Sequence, residues 1–253
     1  MNKSNIAAML LTSVLAFAAA APSVQAQVEI PYTDTFFLED CRLGPRGVNN
    51  HFLPLRPGCY LLLEGEDDGE EVAVFVSVLP RVKKVAGVVC AIMQEVEWAD
   101  GELVEISWNY VAICRKCGDV FYFGEDVNIY EDGQVVSHAG AWLAGVNGAK
   151  PGLLMPGRPL NGARYYQEIA AGVALDRAQH LDDKATIVTP AGAFENCLLV
   201  GETTPLEIGE FSLKAYARGI GMVQDDMLKL TAHGCDRRFG FEPDDEGDEA
   251  DGD

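Results

Sequence analysis

Apolar and polar residues alternate with a period of two from Cys59 almost to the end of the chain. Val72, Val74, Val76 and Val78 interleave with Ala73, Phe75 and Ser77, and Val104, Ile106, Trp108 and Tyr110 interleave with Glu105, Ser107 and Asn109. Such alternation marks half-buried strands with one wet face. Turn signals separate the runs: Asp67-Asp68-Gly69, Asp100-Gly101, Cys117-Gly118-Asp119 and Asp132-Gly133. Asp-Gly accepts the positive φ angles of tight hairpins, so neighbouring strands should pair antiparallel and residues 59–138 should form a meander.

The pattern resumes after a Gly/Pro-rich stretch, with runs at 164–170 and 173–181, at 185–189 and 194–200, and at 211–217 and 222–230. Each pair flanks a Gly-containing reversal. No window beyond the first residues carries an apolar stripe over three helical turns, so the fold class is all-β.

Both ends of the chain break the pattern. A short basic lead, the apolar run 6–21 and Val24-Gln25-Ala26 read as a signal peptide over residues 1–26. The apolar core is shorter than the roughly 20 residues of a spanning helix, so no membrane span is expected. Residues 27–58, rich in Pro, Gly and Asn, read as an extended lead-in lying across an edge or mouth of the sheet, because its prolines cannot join a central strand. The all-β domain is expected over 59–241. Eight of the last twelve residues, 242–253, are Asp or Glu, which predicts a disordered acidic tail.

Net charge is -20, which argues against a nucleic-acid partner or an anionic membrane surface. The signal and the seven cysteines together place the protein in the periplasm or among secreted proteins, where disulfides persist. An odd cysteine count leaves at least one thiol free or paired between chains.

Several motifs occur in one order: GDVFYFGED at 118–126, GAWLAGVNGAKPGLLMPGRP at 140–159, YQEIAAGVALD at 166–176, TPAGAF at 189–194 and YARGIGMV at 216–223. With residues 50–58 they resemble a family of exported bacterial proteins of unassigned activity. The TPAGAF and YARGIGMV turns are also similar to repeats in the strongly curved antiparallel sheet of periplasmic lipoprotein carriers. The resemblance implies a single strongly curved meander or half-open β-barrel, with the long Gly/Pro loop closing one side. The chain departs from the family pattern at Cys117 and in its acidic tail. Architecture alone assigns no reaction.

Candidate chemistry is sparse. Leu153, Leu154, Met155 and Leu160 in the loop 144–159 are costly to leave in water and should fold over the concave sheet face. There Trp108, Phe121, Phe123 and Trp142, with Leu154 and Met155, would line a cavity for a small apolar or amphipathic ligand. The alternative is a filled core.

Glu168, Asp176 and His180 are the candidate ligands for calcium or a transition ion. Their arrangement depends on the reversal at Ala171-Gly172: three loop residues would set Glu168 opposite Asp176, and two would set Gln167 there. Cys114 and Cys117 flank a tight turn and are candidates for a disulfide or a thiol pair. Glu125-Asp126 reads as an edge strand with charges in water. No nucleophile–base pair or phosphate loop is visible, and no cofactor is indicated. The expectation is a non-enzymatic binding or carrier module, with divalent-metal binding as the alternative.

Overall fold

The computed structural model describes residues 30–47 and 50–236; the predicted signal peptide and acidic tail lie outside the described residues. Sixteen strands appear among them: β1 (Leu43–Gly44), β2 (Cys59–Asp67), β3 (Glu70–Val85), β4 (Val88–Ala99), β5 (Glu102–Cys114), β6 (Val120–Glu131), β7 (Gln134–Ser137), β8 (Trp142–Leu143), β9 (Lys150–Met155), β10 (Arg164–Tyr166), β11 (Glu168–Ile169), β12 (Arg177–Thr189), β13 (Gly192–Thr203), β14 (Ser212–Ala217), β15 (Gly221–Asp225) and β16 (Leu228–Cys235). The one helical turn is a 3-10 segment, Leu38–Asp40. No described helix is long and apolar enough to cross a membrane.

Antiparallel pairing runs β10-β12-β13-β14-β15-β16-β2-β3-β4-β5-β6-β9-β11. The two ends of this path are separated in the chain by Gln167 alone. The sheet therefore curls into a nearly closed barrel with one unsealed seam. Local chemistry sets the hairpins. Asp68 and Gly69 have φ of 48° and 94°, Asp100 and Gly101 50° and 82°, and Asp132 and Gly133 52° and 75°. Positive φ at both central residues is the two-residue turn whose twist matches its strands.

Curvature comes from interruptions in the ladders. β3 slips between Val78 and Val82 around Pro80, and β6 carries Phe123 as an extra residue between the pairs Tyr110↔Gly124 and Val111↔Tyr122. Bulges bend the strand and sharpen its twist. At the second, Gly124 has φ +136°, and a Cβ there would strike the Trp142 carbonyl.

Residues 144–159 are not wholly loop. Lys150–Met155 is β9, which pairs with β6 and β11 and carries β11, one lip of the seam. Gly152 permits this, since a Cβ would collide with the backbone of Tyr166 and Gln167. β6 is accordingly an interior strand and not an edge.

The lead-in divides into a strap and a plug. Thr33 bridges the edge strand β10 at Tyr165, Phe36 packs edge-on against Phe121 at 5.8 Å, and β1 pairs with the end of β5. Beyond it, Phe52, Leu53 and Leu55 are buried. Asn50 fixes them: its amide donates to the carbonyls of Gly118 (2.9 Å), Met155 (3.2 Å) and Pro156 (3.1 Å), and its Oδ1 accepts from Phe52 and Leu53 N–H.

Two disulfides form, Cys41–Cys114 and Cys59–Cys235. The first excludes the Cys114–Cys117 disulfide, one of the two readings of that pair, and leaves Cys117 as a thiol. Pairing of Leu43 with Cys114 brings Cys41 alongside the end of β5, with a Cα–Cα distance of 5.1 Å that suits a bridge. Cys117 stays free and exposed, and Cys90 and Cys197 are free and buried.

Candidate functional site

A cavity of about 240 Å³ opens inside the barrel. Strands from around its circumference supply the wall: Leu61 from β2, Val76 from β3, Met93 and Glu95 from β4, Asn109 from β5, Tyr122 and Glu125 from β6, Leu154 and Met155 from β9, Glu202 from β13, Lys214 and Tyr216 from β14, and Met222 from β15. Glu168, Asp176 and Gln167 add the seam side, and Leu53 of the plug closes one end. A second cavity of about 210 Å³ shares Leu53, Leu61, Val76 and Met93 and continues toward Tyr60, Ile220 and His233. The shared wall is apolar; the first cavity turns acidic away from it.

The β6 bulge decides which side chains point inward. Without an extra residue, Tyr122 and Glu125 would face opposite sides of the sheet. With Phe123 inserted, both line the cavity. Asp126 takes the other face, where its Oδ2 accepts from Lys83 Nζ at 2.6 Å and from the Tyr110 hydroxyl at 2.5 Å.

Charge in the cavity is unbalanced. Lys214 is held by Glu202 at 3.1 Å and by Asp225 at 3.6 Å, and Gln167 Nε2 donates to Glu202 at 2.9 Å. No described ion pair reaches Glu95, Glu125, Glu168 or Asp176. Burial pushes Glu95 up to about 7; Lys214 opposes the shift, while Asp225, Glu105 and Glu97 add to it. Burial also lifts Glu125 to about 7, against a hydrogen bond from Tyr122 and with help from Glu95, Glu105 and Asp176. Glu168, buried beside Asp176, is held well above the ordinary carboxyl range, and Asp176 and Asp225 are raised as well, in each case by burial first. Lys214 moves the other way from what burial alone would do: Glu202 and Asp225 keep it charged. The walls thus combine thioether and aliphatic surface with carboxyl groups poised to exchange protons near neutrality.

The predicted apolar lining is only partly assembled. Leu154 and Met155 face the cavity. Phe121 and Phe123 do not, because they flank the inward-facing Tyr122 and so take the opposite side of β6, Phe121 against Phe36 and Phe123 against a surface groove with Leu38 and Pro151. Trp108 also lies opposite: the register Gln94↔Trp108 and Val96↔Ile106 puts it in a separate apolar cluster with Val96, Ile106 and Tyr130, while Glu95, Ser107 and Asn109 turn inward. Trp142 is buried behind the lining, edge-on to Tyr122 at 5.3 Å.

The metal trio is likewise divided. The bridge Ala170↔Ala174 leaves three residues in the reversal, yet a one-residue slip sets Gln167 N–H on the Asp176 carbonyl. Glu168 still meets Asp176, its Oε1 accepting the Asp176 N–H. His180 is elsewhere, buried with Nε2 2.9 Å from the Tyr165 hydroxyl and pushed down to about 4 by burial. Four residues of extended strand separate Asp176 from His180, roughly 13 Å, too far to share an ion. Among the described residues the one group of three or more Cys, His, Asp or Glu ligand atoms close enough for a metal is Cys41, Cys114 and Cys117.

Sequence reasoning missed Glu95, Glu202 and Lys214 in the charged half of the cavity and placed Glu125 in water. Their alternation signals a sheet face but not which face is enclosed. Comparison with protein-family models, curated proteins and solved structures finds no match for this chain.

Proposed function

We propose that the protein is an exported, non-enzymatic binding or carrier module that holds a small amphipathic molecule inside the barrel. The observation that carries this reading is the two-sided cavity: an apolar wall of Leu53, Leu61, Val76, Met93, Leu154, Met155 and Met222 faces a carboxyl-rich wall containing one already paired lysine. An alkyl or aromatic body gains contact with the first, and a cationic or hydrogen-donating head is matched by the second. Two disulfides, which persist in oxidising compartments, support export. The resemblance of the TPAGAF and YARGIGMV turns to the sheets of lipoprotein carriers points the same way.

The test is calorimetric titration of full-length protein with short alkyl amines, alcohols and carboxylates of matched chain length. Each buried methylene is worth about 0.8 kcal/mol, so affinity should rise about fourfold per carbon until the cavity is full. Amines should bind tightest at pH 8, where Glu95 and Glu125 are ionised. Leu154→Trp, which fills the cavity, should abolish binding with the fold intact. Binding that ignores chain length and survives Leu154→Trp would rule the proposal out.

A further inference from the structure

The three sulfur atoms of Cys41, Cys114 and Cys117 all lie within 4.8 Å of one another. Each comes from a separately anchored piece of backbone. Cys41 closes the 3-10 turn, its N–H bonded to the Leu38 carbonyl at 3.0 Å. Cys114 ends β5 and donates its N–H to the Asp119 carbonyl at 2.7 Å. Cys117 sits in the turn that returns the chain to Gly118, whose N–H donates to the Cys114 carbonyl at 2.8 Å. Beside them, Asp119 Oδ2 accepts the Cys117 thiol at 3.0 Å, and Oδ1 is held by Gly157 N–H at 2.8 Å.

We propose that this corner is a reduction-gated metal site, in which Cys41, Cys114 and Cys117 with Asp119 take up a thiolate-preferring d10 ion of the Zn(II) type. Geometry supports it. Three thiolates on one ion at about 2.3 Å stand roughly 4 Å apart, so opening the Cys41–Cys114 bond moves those sulfurs by only about 2 Å. The Asp119 carboxylate already touches the Cys117 sulfur at 3.0 Å and turns toward the other two sulfurs to become the fourth ligand. Burial grades from the enclosed Cys114 through the half-buried Cys41 to the exposed Cys117, which gives an ion a route from solvent. The Cys-x-x-Cys spacing across a tight turn is the usual half of a structural zinc site. The more distant sulfur comes from the strap, where Cys41 lies within 4.8 Å of both others.

The disulfide sets the gate. A dithiol reductant transfers two electrons and two protons to Cys41–Cys114, giving two thiols and its own cyclic disulfide. Zn(II) then displaces the three thiol protons to solvent as the three S–Zn bonds form. With the disulfide intact, only Cys117 and Asp119 remain, too few for a closed site. The site is separate from the barrel cavity and does not depend on what the cavity binds.

The experiment uses full-length protein before and after reduction by a dithiol, with Zn(II) measured by competition against a chromogenic chelator and Co(II) as spectroscopic reporter. The reduced protein should hold one ion per chain and show intense thiolate-to-Co(II) absorption, and the oxidised protein should show neither. Cys117→Ser should weaken reduced-state binding by about tenfold or more, and Asp119→Asn should weaken it with the thiolate bands retained. Cys235→Ser and Cys90→Ser should leave uptake unchanged. Equal uptake before and after reduction, equal affinity in Cys117→Ser, or loss of uptake in Cys235→Ser with its circular dichroism unchanged would overturn the proposal.

Discussion

Glu95 and Glu125 share one residue-scale property: both are carboxyls whose neutral form is favoured by folding, with values near 7 in place of the usual carboxylate range. A group whose folded value is raised contributes stability below its unfolded value, and that contribution is lost as pH rises through the folded one. His180, pushed down to about 4, works in the opposite sense, because its contribution is lost as pH falls. Between about pH 4.5 and 6.5 the two carboxyls outnumber the histidine. The midpoint of thermal unfolding should therefore fall as pH is raised from about 4.5 to 8 and level off above. Glu95→Gln should flatten that profile and raise the midpoint at pH 8; an unchanged profile would show that Glu95 stays ionised in the fold. None of this was visible in the sequence. Glu95 alternates with Val96, and Glu125 stands beside Asp126, like any solvated charges, and only the closed barrel and the Phe123 bulge enclose them.

At the scale of elements, legibility followed backbone chemistry. The Asp-Gly hairpins stood out because positive φ at two successive residues restricts residue choice. The Ala86-Gly87 hairpin between β3 and β4, with φ of 46° and 84°, did not, since alanine is no advertisement for that conformation. β9 was hidden for a related reason: its Pro151 and Gly152 read as loop, yet a close backbone crossing demands the glycine. The plug depends on Asn50, which serves backbone groups of the β5–β6 turn, of the segment after β9 and of its own chain. Asn50→Ala leaves several buried partners unsatisfied, each costing about 1–3 kcal/mol. Urea denaturation should show a loss of about 3 kcal/mol or more, whereas Asn50→Asp should retain the two bonds to Phe52 and Leu53 N–H and lose less.

For the whole molecule, the decisive contacts join distant parts of the chain. β16 pairs with β2, and Cys59–Cys235 locks that joint across a sequence separation of 176 residues. A bridge closing so long a loop removes much unfolded-state entropy, and its loss typically costs 2–5 kcal/mol. Cys59→Ser/Cys235→Ser should lower unfolding stability by about that amount, more than a double substitution at exposed positions; an unchanged midpoint would show that strand pairing alone holds the joint. The all-β class and its hairpins were readable because they are local, whereas closure, the enclosed face and the cysteine partners are long-range outcomes of register. Trp108 shows the cost of that gap: its alternation was read correctly and its side of the sheet was not, because the apolar face of β4 and β5 at that level packs away from the cavity.

The seam gives the barrel the mechanics of a cuff. Its lips, β10 and β11, follow one another in the chain and exchange no ladder hydrogen bonds, while each is secured on its far side, by β12 and by β9. Gln167 fastens the two lips to each other and Thr33 lies along β10, so the cuff can flex at that line but is clasped against opening.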